Sequence, residues 1–274
     1  MIDLHLHTTV SDGRCTPWEL VERCAAVGLT VIAVTDHDTT GAVDDVRRFA
    51  QLRQIEVVTG IEITAVSGEA DVHMLGYFFD PLRTELVQFL ADQRANRRRR
   101  VEAIGSRLAE LGMPIDVEPI LATARLHVGR SVGRPQVARA LVAAGHVPDM
   151  RAAFDEWLGT GKPAFVPRVG PSPADVVNII HRAGGMVSMA HPGRTNLDDL
   201  IAPLAGAGLD AIEAYHSDHD EETVVRYRAL AESLGVLVTG GSDFHGDPAR
   251  VPMPGAVTLP EDDWRRLAAA HRAS

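Results

Sequence analysis

The chain has 274 residues, of which 45% are hydrophobic and 23% charged, and its formal net charge is −10. This is enough chain for a sizeable core, built as one domain with an insertion or as two domains. No run of about 18 apolar residues occurs and the N-terminus enters a strand at once, so neither a membrane span nor a signal peptide is expected.

The opening stretch Met1–Gly13 alternates Ile2, Leu4 and Leu6 with Asp3, His5 and His7, the period of a strand with two different faces. Residues two apart point the same way, so His5 and His7 present two imidazoles to one side, close enough to hold one metal ion. Ser11-Asp12-Gly13 then forms a turn that can aim a carboxylate back at the same place. A helix starts at Thr16-Pro17-Trp18-Glu19, with Thr16 as N-cap, Pro17 at the first helical position and Glu19 at the capping-box position. Leu29–Val34 reads as a buried strand ending in Thr35-Asp36-His37-Asp38. Residues 41–53 read as a helix, and a strand from Ile55 runs towards Gly60-Ile61-Glu62-Ile63. Residues 71–79 read as a further strand, carrying His73. Strands and helices alternate, which predicts a parallel sheet with crossover helices.

Residues 83–111 interrupt that rhythm with a long polar helix bearing Val101, Ile104, Leu108 and Leu111 at helical spacing. Its Arg97–Arg100 cluster reads as a solvated face. Further helices are predicted over 117–124, 135–144 and 150–158. No strand pattern appears, so residues 83–164 read as an all-helical insertion between two parts of one α/β domain, 1–82 and 165–274. Alternation then resumes: helix 173–183, strand 186–190 ending in His191, helix 197–207, strand 211–215, helix 221–234 and strand 236–239 running into Gly240-Gly241-Ser242-Asp243-Phe244-His245. A last strand, 256–259, and a helix, 262–272, complete the reading.

The charge is uneven. Residues 83–168 carry 14 basic and 9 acidic side chains, against 13 and 28 in the remainder, and Lys162 is the only lysine. An acidic body can accept divalent cations and a basic segment over it can attract an anionic substrate, although two solvated surfaces account for the same figures. Cys15 and Cys24 are the only cysteines, which favours free thiols in a reducing cytoplasm.

Nine metal-capable residues fall at strand ends: His5, His7, Asp12, His37, Glu62, His73, His191, Asp243 and His245. If the strands close into a barrel, all nine converge at one mouth. Asp36 or Asp38 could then hydrogen-bond the second nitrogen of His37 or of a neighbouring ligand. No Walker-type glycine loop or Gly-x-Ser-x-Gly elbow competes.

Taken together, His-x-His with Ser-Asp-Gly, Thr-Asp-His-Asp-Thr, Gly-Ile-Glu, the His73 strand, Ala-His-Pro and Gly-Ser-Asp-Phe-His resemble the PHP (polymerase and histidinol phosphatase) family of metal-dependent phosphoesterases. The resemblance implies a distorted (β/α)7 barrel with two or three divalent ions at its mouth, Mn²⁺ foremost and Fe²⁺, Zn²⁺ or Mg²⁺ as alternatives. By motif, His5, His7, Glu62 and Asp243 would bind the first ion. Glu62 would bridge to a second held by His73 and His191, and Asp12, His37 and His245 would hold a third. Many members have histidine where Asp12 stands, and a carboxylate there suits Mg²⁺ or Mn²⁺.

The helical insertion, Gly133-Arg134-Pro135, Gly161-Lys162-Pro163 and Glu213-Ala214-Tyr215-His216 resemble the branch of nucleoside 3′,5′-bisphosphate phosphatases and 5′-to-3′ exoribonucleases. That branch implies hydrolysis of phosphate esters of nucleotides or short RNA ends by a metal-bound hydroxide. Arg130, Arg134, Lys162 and Arg194 are candidate substrate contacts, because guanidinium groups suit bidentate phosphate binding and an ammonium supplies a point charge. His216 is a candidate phosphate contact or leaving-group acid. The competing readings are a histidinol-phosphate-type phosphatase, an amidohydrolase-like C–N hydrolase and a non-catalytic metal or nucleotide binder. The C–N reading lacks a bridging lysine, since the sole lysine lies in the insertion.

Overall fold

A computed structural model describes residues 1–127, 129–195, 197–247 and 253–273. Its seven strands form one sheet in sequence order: β1 (Ile2–Leu6), β2 (Val31–Val34), β3 (Glu56–Ser67), β4 (Ala70–Tyr77), β5 (Met186–Met189), β6 (Ala211–Tyr215) and β7 (Leu237–Gly240). Beyond β7 the chain returns to β1. Leu6 and Phe244 form a parallel bridge, and the His7 N–H donates to the Phe244 carbonyl at 3.0 Å. Ser242 donates to the Asp3 carboxylate from its N–H at 3.0 Å and its hydroxyl at 2.6 Å. A sheet whose last strand meets its first is a barrel, here nearly closed and distorted. Gly241 permits that meeting: a Cβ there would lie 2.4 Å from the His5 nitrogen.

The sheet is not all parallel, contrary to the prediction from strand–helix alternation. β4 runs antiparallel to both β3 and β5. The cause is local. Only Gly68 and Glu69 separate β3 from β4, and Gly68 has φ +62°, as the first central residue of a type II′ hairpin requires. Two residues can join antiparallel strands but cannot make a parallel crossover. His73 therefore reaches the mouth from the first half of its strand rather than the end, opposite Thr64 on β3.

Helices α1 (Pro17–Ala26) and α2 (Val43–Gln51) cover the first strands. The α1 capping box is formed as predicted, with Thr16 and Glu19 each accepting from the other's N–H. Leu20, Val21 and Val46 bury against Leu6, Ile32 and Val34. A second cluster joins Ile2 and Leu4 to Tyr77, Trp264 and Leu267. β1's register against β2 shifts between Asp3 and Leu6, consistent with Leu6 joining a different cluster from Ile2 and Leu4.

Between β4 and β5 come α3 (Thr84–Glu110), α4 (Glu118–Leu126), α5 (Arg134–Ala143) and α6 (Met150–Ala152), the last running into a π-helical turn over Ala153–Leu158. α3 spans roughly 40 Å at 1.5 Å per residue. Leu86 and Leu90 near its start pack on the barrel core, while Val101, Ile104 and Leu108 join a separate core with Leu121, Val137 and Leu141. Helices α7 (Pro173–Arg182), α8 (Ile201–Gly206), α9 (Glu221–Leu234) and α10 (Glu261–Ala273) complete the chain.

Two smaller expectations differ. The helix predicted over 197–207 begins as a 3₁₀ turn, Asp198–Leu200, before α8. The strand predicted over 256–259 is not a strand; a single bond, Leu259 N–H to the Ile2 carbonyl at 2.9 Å, ties it to β1. No helix among the described residues is long and apolar enough to cross a membrane.

Candidate functional site

The metal-capable residues meet in one cleft of about 820 Å³, whose wall includes Asp12, His37, His191, Asp243 and His245 from turns and strand ends and, contrary to the strand-end expectation, Glu62 and His73 from within β3 and β4. His5 and His7 lie beneath, fully buried. His37 is set beside Glu62 by a parallel bridge between them. His191 (φ 27°) and Asp243 (φ 52°) hold left-handed backbone at the ends of β5 and β7. Such conformations cost of order 1–3 kcal/mol each and persist where the surroundings fix them.

Glu62 is central. Its Oε2 lies 3.3 Å from His5 Nε2, 3.2 Å from His7 Nε2 and 3.1 Å from His37 Nδ1. Its Oε1 lies 2.6 Å from His73 Nδ1 and 3.2 Å from His191 Nε2. Asp243 Oδ1 is 3.3 Å from His5 Nε2 and 3.2 Å from His7 Nε2. His5, His7, Glu62 and Asp243 thus offer four ligand atoms to one point. A second group joins His7, Asp12, His37 and His245, and a third joins His37, Glu62 and His73. Around a cation with bonds of about 2.0–2.2 Å, neighbouring ligand atoms stand roughly 3 Å apart, which is the spacing seen here.

The protonation pattern fits the same reading. Burial acts to lower His7, yet Asp243, Glu62 and Asp12 outweigh it and raise it to about 10. His5 is likewise raised well above its ordinary value against burial, by Glu213, Asp243 and Glu62. Burial holds His37 down to about 3 and His191 to about 4, so both stay neutral. Despite burial, neighbouring histidines hold Asp12, Glu62 and Asp243 ionised. A cation bound by His5 and His7 would displace a proton from each, because imidazole ligates as the neutral base. His7 Nδ1 and His191 Nδ1 are buried without hydrogen-bond partners. His245 donates from Nδ1 to the Asp243 carbonyl at 2.8 Å, and its Nε2 lies 3.3 Å from Asp12 Oδ1.

The expectation for Asp36 and Asp38 is corrected: neither bonds His37. Asp36 accepts from Thr8 N–H, Thr8 hydroxyl and Ser11 hydroxyl at 2.8, 2.6 and 2.6 Å, and so braces the turn carrying Asp12. Asp38 accepts from Thr64 N–H at 3.0 Å and from Arg97.

The opposite wall is made of arginine. Arg97 pairs with Asp38 and donates to Thr64 hydroxyl at 2.9 Å. Asp71 takes Arg134 at 2.9 Å, with Arg100 and Arg168 at 3.4 Å. Four guanidinium groups thus share two carboxylates. Burial, with Arg97 nearby, pushes Arg168 down to about 9, and burial with Arg134 pushes Arg100 to about 10. Burial opposes it, but Arg168, Arg100 and Arg134 hold Asp71 at about 2. Arg139 donates to the Asp12 carbonyl, and Gln136 Nε2 donates to the Ser11 carbonyl at 2.7 Å, so α5 grips the ligand-bearing turn.

The Arg97–Arg100 cluster is therefore not a solvated face: Arg97 and Arg100 are buried, and only Arg99 is fully exposed. Of the candidate substrate residues, Arg134 and Arg194 line the cleft. Lys162 is exposed and Arg130 half-buried, and neither is in its wall. His216 is buried behind Asp243, its Nε2 3.5 Å from Oδ2, with Nδ1 accepting from Asp218 N–H at 3.0 Å. It is not among the residues lining the cleft. Sequence reasoning missed Arg168, Arg139, Asp71 and a role for Glu213, whose carboxylate meets His5 Nδ1 at 2.8 Å. Asp71 did leave a signal, standing two residues before His73 on the same strand.

Residues 3–114 match the PHP domain family. The chain is 34% identical to a 3′,5′-nucleoside bisphosphate phosphatase of Chromobacterium violaceum, over 89% of this chain and 87% of that one. The chain belongs to the PHP family. It is also 33% identical to the 5′-3′ exoribonuclease Rnm of Escherichia coli, over 89% and 84% of the two chains. A Bifidobacterium adolescentis protein described as a metal-dependent phosphoesterase superposes with a TM-score of 0.88 at 32% identity, covering 98% of this chain and 95% of the other. The PHP chain described here is accordingly a phosphoric ester hydrolase on a distorted seven-stranded barrel.

Proposed function

We propose that this PHP protein hydrolyses phosphate esters of nucleotides, namely nucleoside 3′,5′-bisphosphates, 5′-phosphorylated short RNA, or both, in the cytoplasm. The observation that carries the reading is the pairing of two walls in one cleft, a histidine–carboxylate cluster facing an arginine cluster that exceeds its own carboxylates. The names of the relatives at 33–34% identity agree with it.

In this reading His5, His7, Glu62 and Asp243 hold one divalent ion, and Glu62 with His73 and His191 a second. Asp12, His37 and His245, with His7 beside them, hold a third. The mixed imidazole and carboxylate donors suit Mn²⁺, with Fe²⁺, Zn²⁺ and Mg²⁺ as competitors. When bound, such ions acidify a water and neutralise charge on phosphoryl oxygens. Phosphoryl transfer otherwise needs mostly positioning and positive charge. Arg134 and Arg168 bind and orient a phosphate away from the scissile one, and Arg194 contributes at the rim. Residues 83–164 act as the helical insertion that brings Arg134 over the barrel mouth.

The test is release, with Mn²⁺, of phosphate from adenosine 3′,5′-bisphosphate and histidinol phosphate, and of 5′-mononucleotides from a 5′-phosphorylated short RNA. Release from either nucleotide substrate and none from histidinol phosphate is expected. Release from histidinol phosphate alone, or turnover that survives chelation with metal loss verified, would overturn the reading.

A further inference from the structure

We propose that Glu213 is a positioning residue that sets two ligand arms of the centre at once: the ring tautomer of His5 and the backbone of His191. The inference rests on reading the cleft as a metal centre. The Glu213-Ala214-Tyr215-His216 stretch stood out in the sequence, yet its acid has no part in the function so far.

Glu213 is fully buried on β6 and is not in the cleft wall. Its two oxygens go to different arms. Oε1 lies 2.8 Å from His5 Nδ1, and Oε2 accepts from the His191 N–H at 2.8 Å. A carboxylate only accepts, so the His5 ring proton sits on Nδ1. The His5 lone pair is then on Nε2, the atom 3.3 Å from both Glu62 Oε2 and Asp243 Oδ1. On the other arm, the bond to its N–H holds His191 in left-handed backbone (φ 27°, ψ 56°). From that conformation the ring brings Nε2 to 3.2 Å from Glu62 Oε1. His5 serves the first ion of the proposed set and His191 the second. One buried carboxylate therefore braces ligands of both, and each oxygen has its own partner.

An amide cannot replace it. Both partners are donors, whereas glutamine offers one acceptor oxygen and one NH₂ group. In Glu213→Gln either the His5 ring turns to the Nε2–H tautomer or the His191 N–H loses its acceptor. Loss of such an outer partner typically weakens metal binding about 10–100-fold. Mn²⁺ affinity, read from the electron paramagnetic resonance of free Mn²⁺, is expected to fall by that factor in Glu213→Gln. The kcat should fall at low Mn²⁺ and recover when Mn²⁺ is raised, with KM for adenosine 3′,5′-bisphosphate unchanged. Wild-type Mn²⁺ affinity in the variant overturns the proposal.

A variant that does not fold leaves a second test on the wild-type protein. Ring ¹⁵N–¹H correlation spectra of the Zn²⁺-loaded form should show His5 protonated at Nδ1, and a proton on Nε2 overturns the proposal. Wild-type protein that takes up Mn²⁺ but hydrolyses no nucleotide ends the substrate reading alone. Undiminished Mn²⁺ uptake by Glu213→Gln ends the Glu213 proposal alone.

Discussion

On one side of the cleft, six histidines gather around Asp12, Glu62 and Asp243, with His5 and His7 beneath the wall; on the other, Arg97, Arg134 and Arg168 line it and, with Arg100 outside the lining, share Asp38 and Asp71. Both walls are buried and both mix opposite charges, but their surplus differs in sign. With neutral imidazoles the first wall is a set of lone pairs and carboxylates that only cations complete. The second has more guanidinium than carboxylate and is completed by an anion. Each wall thus specifies one part of a metal-assisted phosphate site, and substitutions in the two should fail in different ways.

The largest effect belongs to the first wall. Glu62→Ala removes the side chain that touches five histidines, and Asp12→Ala and His191→Ala remove ligands nearer the edge. All three are expected to stay folded by circular dichroism. Glu62→Ala should lose at least ~10³-fold in kcat, beyond the ~10–100-fold that an outer partner costs. Activity in Glu62→Ala within tenfold of wild type would show that the histidine cluster is not the reacting centre.

Next come Arg134→Ala and Arg168→Ala. A charge-assisted hydrogen bond contributes about 1.5–3 kcal/mol, which is roughly 10–150-fold in binding. KM for adenosine 3′,5′-bisphosphate should rise by that order, with Mn²⁺ affinity unchanged in equilibrium titration. A loss of Mn²⁺ binding instead would merge the two walls into one.

A smaller effect concerns the arginine wall's own stability. Asp71 is held at about 2, against an ordinary value of 3.8, by Arg168, Arg100 and Arg134 in opposition to burial. Its folded value is depressed, so the stabilisation is present above 3.8 and is lost as pH falls through about 2. It amounts to roughly 2 kcal/mol. Thermal melts of wild type and Asp71→Asn should differ most at neutral pH and converge as pH drops through that window. A constant gap would mean that Asp71 acts by packing rather than charge. The smallest effect is that of Lys162→Ala, which is expected to leave kcat/KM within about twofold, because Lys162 is exposed outside the cleft wall.

The two walls were also unequally legible in the sequence. His-x-His, Thr-Asp-His-Asp and Ser-Asp-Phe-His put metal-capable side chains at strand ends, where period-two geometry and short turns settle direction locally. An α/β sheet could be expected because strand–helix alternation is a local pattern too, whereas the barrel was implied only by the resemblance to PHP proteins. The misses were of two kinds. Strand direction at β4 turned on a local feature, the two-residue Gly68-Glu69 link between the strands read at 55–63 and 71–79; the others were non-local. Asp36 looked like a partner for His37 because it is adjacent in sequence, yet it bonds Thr8 and Ser11, some 25 residues away along the chain. Arg97 and Arg100 looked solvated because they sit in a run of four arginines. Their spacing held the correction: Leu86, Leu90, Gln93, Arg97, Arg100, Ile104 and Leu108 recur at three- and four-residue steps, and all seven are buried on one helix. Arg168 and Glu213 gave no such pattern, since their roles depend on partners from distant elements.

The most direct measurement is anomalous diffraction at the manganese edge from crystals grown with Mn²⁺. Peaks are predicted within about 2.0–2.2 Å of His5 Nε2, His7 Nε2 and Glu62 Oε2, and again beside His73 and His191. A Mn²⁺-saturated crystal with no peak in contact with Glu62 would contradict the shared metal centre.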